Sequence, residues 1–174
     1  MAGLNRNLSR LELALMITVI ALLITIAINR TSVLFVEAER LSVDMTLNSL
    51  RNGIIYYTAE RMMQGQMRQL AKLDGANPVG LVIVAPKGYR GALKPGQAQK
   101  LKPGDWYFDT ARGVLVYLVV NRDHLRLENG GRGRLEFRLG LDFRDRNGNG
   151  RFDQGIDSIN GLGLVTVTPY HWDI

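Results

Sequence analysis

The stretch LSRLELALMITVIALLITIAI, residues 8–28, decides how this chain is read. Within it, residues 11–28 are apolar apart from Glu12, Thr18 and Thr25. A bilayer is crossed by roughly 20 predominantly apolar residues in a helix. The run therefore predicts a membrane-spanning helix close to the lower length limit. Arg6 and Arg10 precede it, and the positive-inside bias places the N-terminus in the cytoplasm and the remainder outside. Asn29-Arg30-Thr31-Ser32-Val33 follows, with no Ala-x-Ala cleavage site, so the segment reads as a retained anchor and not a secretory signal. Glu12 interrupts the pattern. A carboxylate deep in a membrane costs about 2–3 kcal/mol. It either sits at the interface and favours the helix N-terminus, or it has a buried partner.

Beyond residue 30 polarity rises without a helix breaker. Leu34, Ala38, Leu41 and Met45 are spaced 4, 3, 4, and Leu47, Leu50, Ile54 and Tyr57 are spaced 3, 4, 3, which assigns them to one apolar helix face. Glu37, Glu39, Arg40, Asp44 and Arg51 are left for the solvent side. One helix from about residue 8 to the mid-60s is expected, about 80 Å long at 1.5 Å per residue. Residues 66–104 read as a connection, with turn signals at Asn77-Pro78 and Pro86-Lys87-Gly88 around the apolar run 81–84. Strands are expected at 106–108, 114–120, 134–142 and 162–168. The third alternates, with Leu135, Phe137, Leu139 and Leu141 on one face. Trp106 belongs to the core, while Tyr170-His171-Trp172 is either an exposed contact or a clasp back onto the sheet. The fold class is α+β: a long N-terminal, partly transmembrane helix packed on an antiparallel β-sheet.

Leu8-Ser9-Arg10-Leu11-Glu12-Leu13, running into an apolar helix, resembles the N-terminal signature of type IV pilins and type II secretion pseudopilins. The resemblance implies a pilin-like fold and a leader of residues 1–7, removed by prepilin peptidase between Asn7 and Leu8. It further implies an assembly helix over 8–29 and a periplasmic domain over 30–174. Glu12 would neutralise the new amine at Leu8 during assembly. Asn7 and Leu8 depart from the Gly and Phe usual in the family, and Arg10 replaces an apolar residue. The implied partners are other pilin or pseudopilin subunits, an inner-membrane assembly platform and the lipid bilayer. The implied function is a structural subunit, minor in kind, of a pilus or secretion pseudopilus. A permanently anchored periplasmic binding or scaffold protein is the alternative, as is a DNA- or surface-binding minor pilin.

The net charge is +6, and beyond residue 30 it is +4, from 19 Lys and Arg against 15 Asp and Glu. The basic residues are spread along the chain, which reads as a solvated surface more than a nucleic-acid footprint. The chain has no cysteine, which excludes disulfides, thiolate metal sites and cysteine catalysis. His124 and His171 are isolated, and no phosphate-binding loop or nucleophile elbow appears, so no catalytic set stands out.

One motif carries metal chemistry. Asp145, Asn147, Asn149 and Asp153 fall at positions 1, 3, 5 and 9 with Gly150 at 6, similar to the first part of an EF-hand-like Ca2+ loop. Arg151 would contribute its carbonyl at position 7. Ile156 stands where a bidentate glutamate is usual, and Asp157, one residue on, is the substitute. The competing reading is a glycine-rich hairpin turn, with Arg144, Arg146 and Arg151 disfavouring a cation.

Overall fold

The computed structural model describes residues 9–128, 130–131 and 133–173. Helix α1 spans Arg10–Met63, 54 residues. Ser9 caps it: the Ser9 hydroxyl accepts the Glu12 backbone N–H at 3.2 Å, and the Glu12 carboxylate accepts the Ser9 N–H at 3.0 Å. This reciprocal pair satisfies two of the orphan donors at a helix start. Glycine with positive φ at Gly65 ends the element.

The expectation of a membrane-spanning helix is not met: among the described residues no helix is long and apolar enough to cross a membrane. The apolar run, residues 11–28, advances about 27 Å at 1.5 Å per residue. That is short of a hydrocarbon core of about 30 Å, and the first turn carries Glu12.

The sheet corrects a second expectation. Its strands are β1 (Tyr89–Leu93), β2 (Trp106–Asp109), β3 (Val114–Leu118), β5 (Arg134–Arg144) and β6 (Ser158–Thr166), ordered β1-β2-β3-β5-β6. It is mixed and not antiparallel, because β1 runs parallel to β2 with Tyr89 opposite Trp106. A parallel neighbour requires a crossover in place of a hairpin, and residues 94–105 supply it. Ala98 and Leu101 of that crossover, with Leu93 at the end of β1, pack over Tyr107, Val114, Val116 and Leu118 on the sheet face away from α1. Both faces of β3 are therefore covered, and every residue of it is buried.

The other face meets α1. Val36, Val43, Leu47 and Leu50 pack on Trp106, Phe108, Leu115, Tyr117, Leu135 and Phe137. Farther along, Ile54 joins Leu70, Leu139 and Leu162. The buried stripe differs from the one expected at its N-terminal end. Leu34, Leu41 and Met45 are 68, 48 and 70% exposed, whereas Val36 and Val43 are buried. Glu39, expected in solvent, is buried too. Residues 81–84 form no strand, and β1 occupies the connection instead. At the C-terminus β4 (Leu125–Leu127) pairs with β7 (Tyr170–Trp172), Leu125 opposite Trp172. The terminal Tyr-His-Trp is thus a clasp, and Trp172 joins the main core.

Candidate functional site

Two places carry the residues singled out by sequence, and a third emerges from the packing. The first is the start of α1. Asn7 and Leu8 lie outside the described residues. Glu12 is described, with its carboxylate engaged in the Ser9 capping box. Ahead of the folded half, the large apolar side chains from Leu11 to Ile26 are all 47% or more exposed. Among the described residues nothing covers them. Between these lies a stripe of small residues, Ala14, Thr18, Ala21 and Thr25, spaced 4, 3, 4 and so on one face. Thr18 and Thr25 donate their hydroxyls to the Ala14 and Ala21 carbonyls at 2.9 and 2.8 Å. The stripe thus presents methyl groups outward with its hydroxyl donors already used.

The second place is the loop 145–157, which joins β5 to β6 where Arg144 pairs with Ser158. Asp145 accepts the backbone N–H groups of Gly148 and Gly150, each at 2.7 Å. The Gly150 N–H chiefly, with those of Gly148, Asn147 and Asn149, holds this carboxyl below the usual range. Asp157 closes the loop by accepting the N–H of Arg146 at 2.9 Å and of Asp153 at 2.7 Å. The amides of Asn147 and Asn149 donate to one oxygen of Asp153 at 2.7 and 2.6 Å. Gly148 and Gly150 adopt the left-handed backbone that the two tight turns require. Phe152 stacks edge-on against Phe143 at 5.7 Å and anchors the loop to β5.

The structure therefore brings Asp145, Asn147, Asn149, Asp153 and Asp157 into one hydrogen-bonded loop; Arg151 contributes its N–H to Asn149 at 2.8 Å. Among the described residues no group of three or more His, Asp or Glu is gathered to hold a metal. The donor chemistry fits a hard cation, but the present geometry is spent on internal hydrogen bonds. The two Asn amides would have to rotate to turn oxygen toward an ion.

A pH consequence follows. The folded Asp145 titrates below its ordinary 3.8. Its contribution is complete above that value and is lost as pH falls through the folded value. The Gly148 and Gly150 amide resonances should titrate with a midpoint below 3.8, and Asp145→Asn should abolish the transition.

The third place is Glu39, which the sequence reading left in solvent. Its carboxylate accepts four hydrogen bonds: the Tyr117 hydroxyl (2.9 Å), the Val120 N–H (2.7 Å), the Asn121 N–H (2.9 Å) and the Asn121 side-chain amide (2.7 Å). Burial, then this contact with Glu39, raises the Tyr117 hydroxyl well above its ordinary value, so it stays protonated and donates. Glu39 ties α1 to the end of β3 and fixes the axial register of the helix on the sheet. Its spacing from Val36 and Val43, three and four residues, was the one sequence signal that it shares their face.

No family model, curated protein or solved structure matches the chain.

Proposed function

We propose that this chain is a pilin-type assembly subunit, a non-catalytic building block that polymerises by packing residues 11–26 of α1 against the same helix of other copies. The observation that carries the reading is the exposed apolar half of α1, ahead of a half that is folded onto a sheet. An isolated apolar helix of that length is unfavourable in water and is relieved by association. The Ala14, Thr18, Ala21, Thr25 stripe supports close helix–helix approach, as small residues do where apolar helices pack. Glu12 follows Leu8 by four residues in the sequence, and a processed amine at Leu8 would need an opposite charge if drawn into an apolar bundle. Prepilin peptidase and an inner-membrane assembly platform are the partners this reading requires.

The test is the mass and N-terminal sequence of the protein recovered from cells, together with its sedimentation. A chain that begins at Leu8 with a methylated amine and sediments as polymers is expected. An intact N-terminus on a chain that remains monomeric would overturn the reading and favour a scaffold that never polymerises.

The loop 145–157 belongs to this reading as a structural element, and we assign Ca2+ as its ligand. Its oxygen set is local, and rotation of two amides would aim it at a cation. Calcium at a hundredfold excess over its dissociation constant should stabilise the folded chain by about 2.7 kcal/mol. Thermal melts with calcium and with chelator measure this. Equal melting temperatures in the two would remove the metal and leave the hydrogen-bonded turn.

A further inference from the structure

Along the outward side of α1 runs a groove that the sheet does not use. One wall is the helix, through Met45, Ser49, Asn52 and Tyr56, and the other is the segment 81–86. Two hollows of about 230 and 310 Å3 share Ser49 and Val84 and so adjoin. From Met45 to Tyr56 the groove extends about 16 Å at 1.5 Å per residue. Its exposed apolar groups are large: Ile83 is 103% exposed, Val84 75%, Tyr56 73% and Met45 70%.

Two features mark this as a built surface. The first is Gly53. A Cβ there would lie 2.5 Å from Val82 Cγ1 and 2.9 Å from the Leu81 carbonyl oxygen. Only glycine lets the 81–84 segment press onto the helix, and that contact sets Ile83 and Val84 outward beside it. The second is charge. None of the residues lining either hollow is charged, in a chain where 22% of residues are. A neutral, apolar trough does not select a charged or strongly polar partner.

The same chain displays an apolar rod, residues 11–26 of α1, uncharged after Glu12 and covered by none of the described residues. We propose that the groove between α1 and residues 81–86 receives the 11–26 helix of a second copy. This rests on the assembly reading and deepens it by naming the surface that accepts the helix. The occupant is long enough to span the groove, about 24 Å of helix over about 16 Å, and like the groove it carries no charge after Glu12. Contact between different patches of two copies is heterologous, so it propagates along a filament in place of closing as a dimer.

The chain has no cysteine, which makes disulfide trapping clean. Cells would produce two differently tagged full-length copies, one Ile20→Cys and the other Val84→Cys, and be treated with a mild oxidant. The expected result is a 20–84 heterodimer, reduced about a hundredfold or more when Ile83→Asp is added to the Val84→Cys copy, as one unpaired charge in the contact implies. Ile83 is fully exposed, so that variant retains the melting temperature of its parent. Cross-links of 20 to 20 without 20–84 would overturn the groove while sparing helix assembly. Absence of both would overturn both, and a 20–84 link indifferent to Ile83→Asp would overturn the groove alone.

Discussion

Replacing Glu39 by alanine should destabilise the fold by about 3–5 kcal/mol, because it removes four hydrogen bonds to a buried carboxylate and leaves their donors behind. The native carboxylate accepts the Val120 and Asn121 backbone N–H groups. Alanine leaves both donors without it near a buried strand end, each at a cost of about 1–3 kcal/mol. Glu39→Gln separates charge from shape. Its oxygen can keep the Tyr117 and Val120 donors, but its NH2 group must then face the Asn121 N–H and side-chain amide. About half of the alanine loss is expected. Tyr117→Phe removes only one donor and should cost about 1 kcal/mol. Trp106 and Trp172 both lie in the core beside this tie, so tryptophan fluorescence during urea unfolding of the full chain in detergent reports it directly. A Glu39→Ala chain as stable as the parent would show that the helix is held by apolar packing alone.

Glu39 also shows where sequence reading stops. A 54-residue helix carries more than one apolar stripe between residues 34 and 57, and periodicity cannot say which one a sheet covers. Leu34, Leu41 and Met45 satisfied the spacing and lie in the open; Val36 and Val43 form the buried face. The choice is made by partners distant in sequence, Trp106, Tyr117 and Phe137 among them. Once that face is fixed, Glu39 must turn inward with it. The strands were more legible, because a period of two over Leu135, Phe137 and Leu139 admits only two faces and all three residues are buried. The parallel β1 was not legible: Tyr89-Arg90-Gly91-Ala92-Leu93 alternates weakly, and its direction depends on a crossover that local pattern does not encode. The loop 145–157 could be placed from spacing alone because its oxygens lie within thirteen residues. Its hydrogen bonds, which spend those oxygens on backbone N–H groups, could not.

The exposed stripe left over by that choice has a consequence for the chain as a whole. Met45 and Tyr56 face outward on the folded half of α1, and the turns before it are apolar on nearly every side. A monomer in water would leave both uncovered, an unfavourable arrangement that association relieves. If the chain assembles as proposed, the sheet and its Glu39 tie hold one end of the helix rigid, so that its other end meets neighbours at a fixed angle.

On this reading Ile20→Asp abolishes assembly while sparing the globular fold. Ile20 is 54% exposed, sixteen residues before Val36, the first residue of α1 in the core. The two are about 24 Å apart along the helix axis, so the substitution should not reach the packing on the sheet. In an assembled bundle the aspartate would be an unpaired charge in apolar surroundings, costing about 3–5 kcal/mol in each copy. That is about two to four powers of ten in each association constant, and a polymer compounds it at every addition. Ile20→Val, which keeps the apolar surface, should sediment as the parent does. Thr18→Leu offers a finer probe. It fills the small-residue stripe without adding charge, and should weaken assembly only if helices approach closely along Ala14, Thr18, Ala21 and Thr25. The measurement is the sedimented fraction of the full chain, with urea unfolding of each variant as the control for folding. An Ile20→Asp chain that polymerises as well as its parent would show that residues 11–26 do not form the contact between subunits.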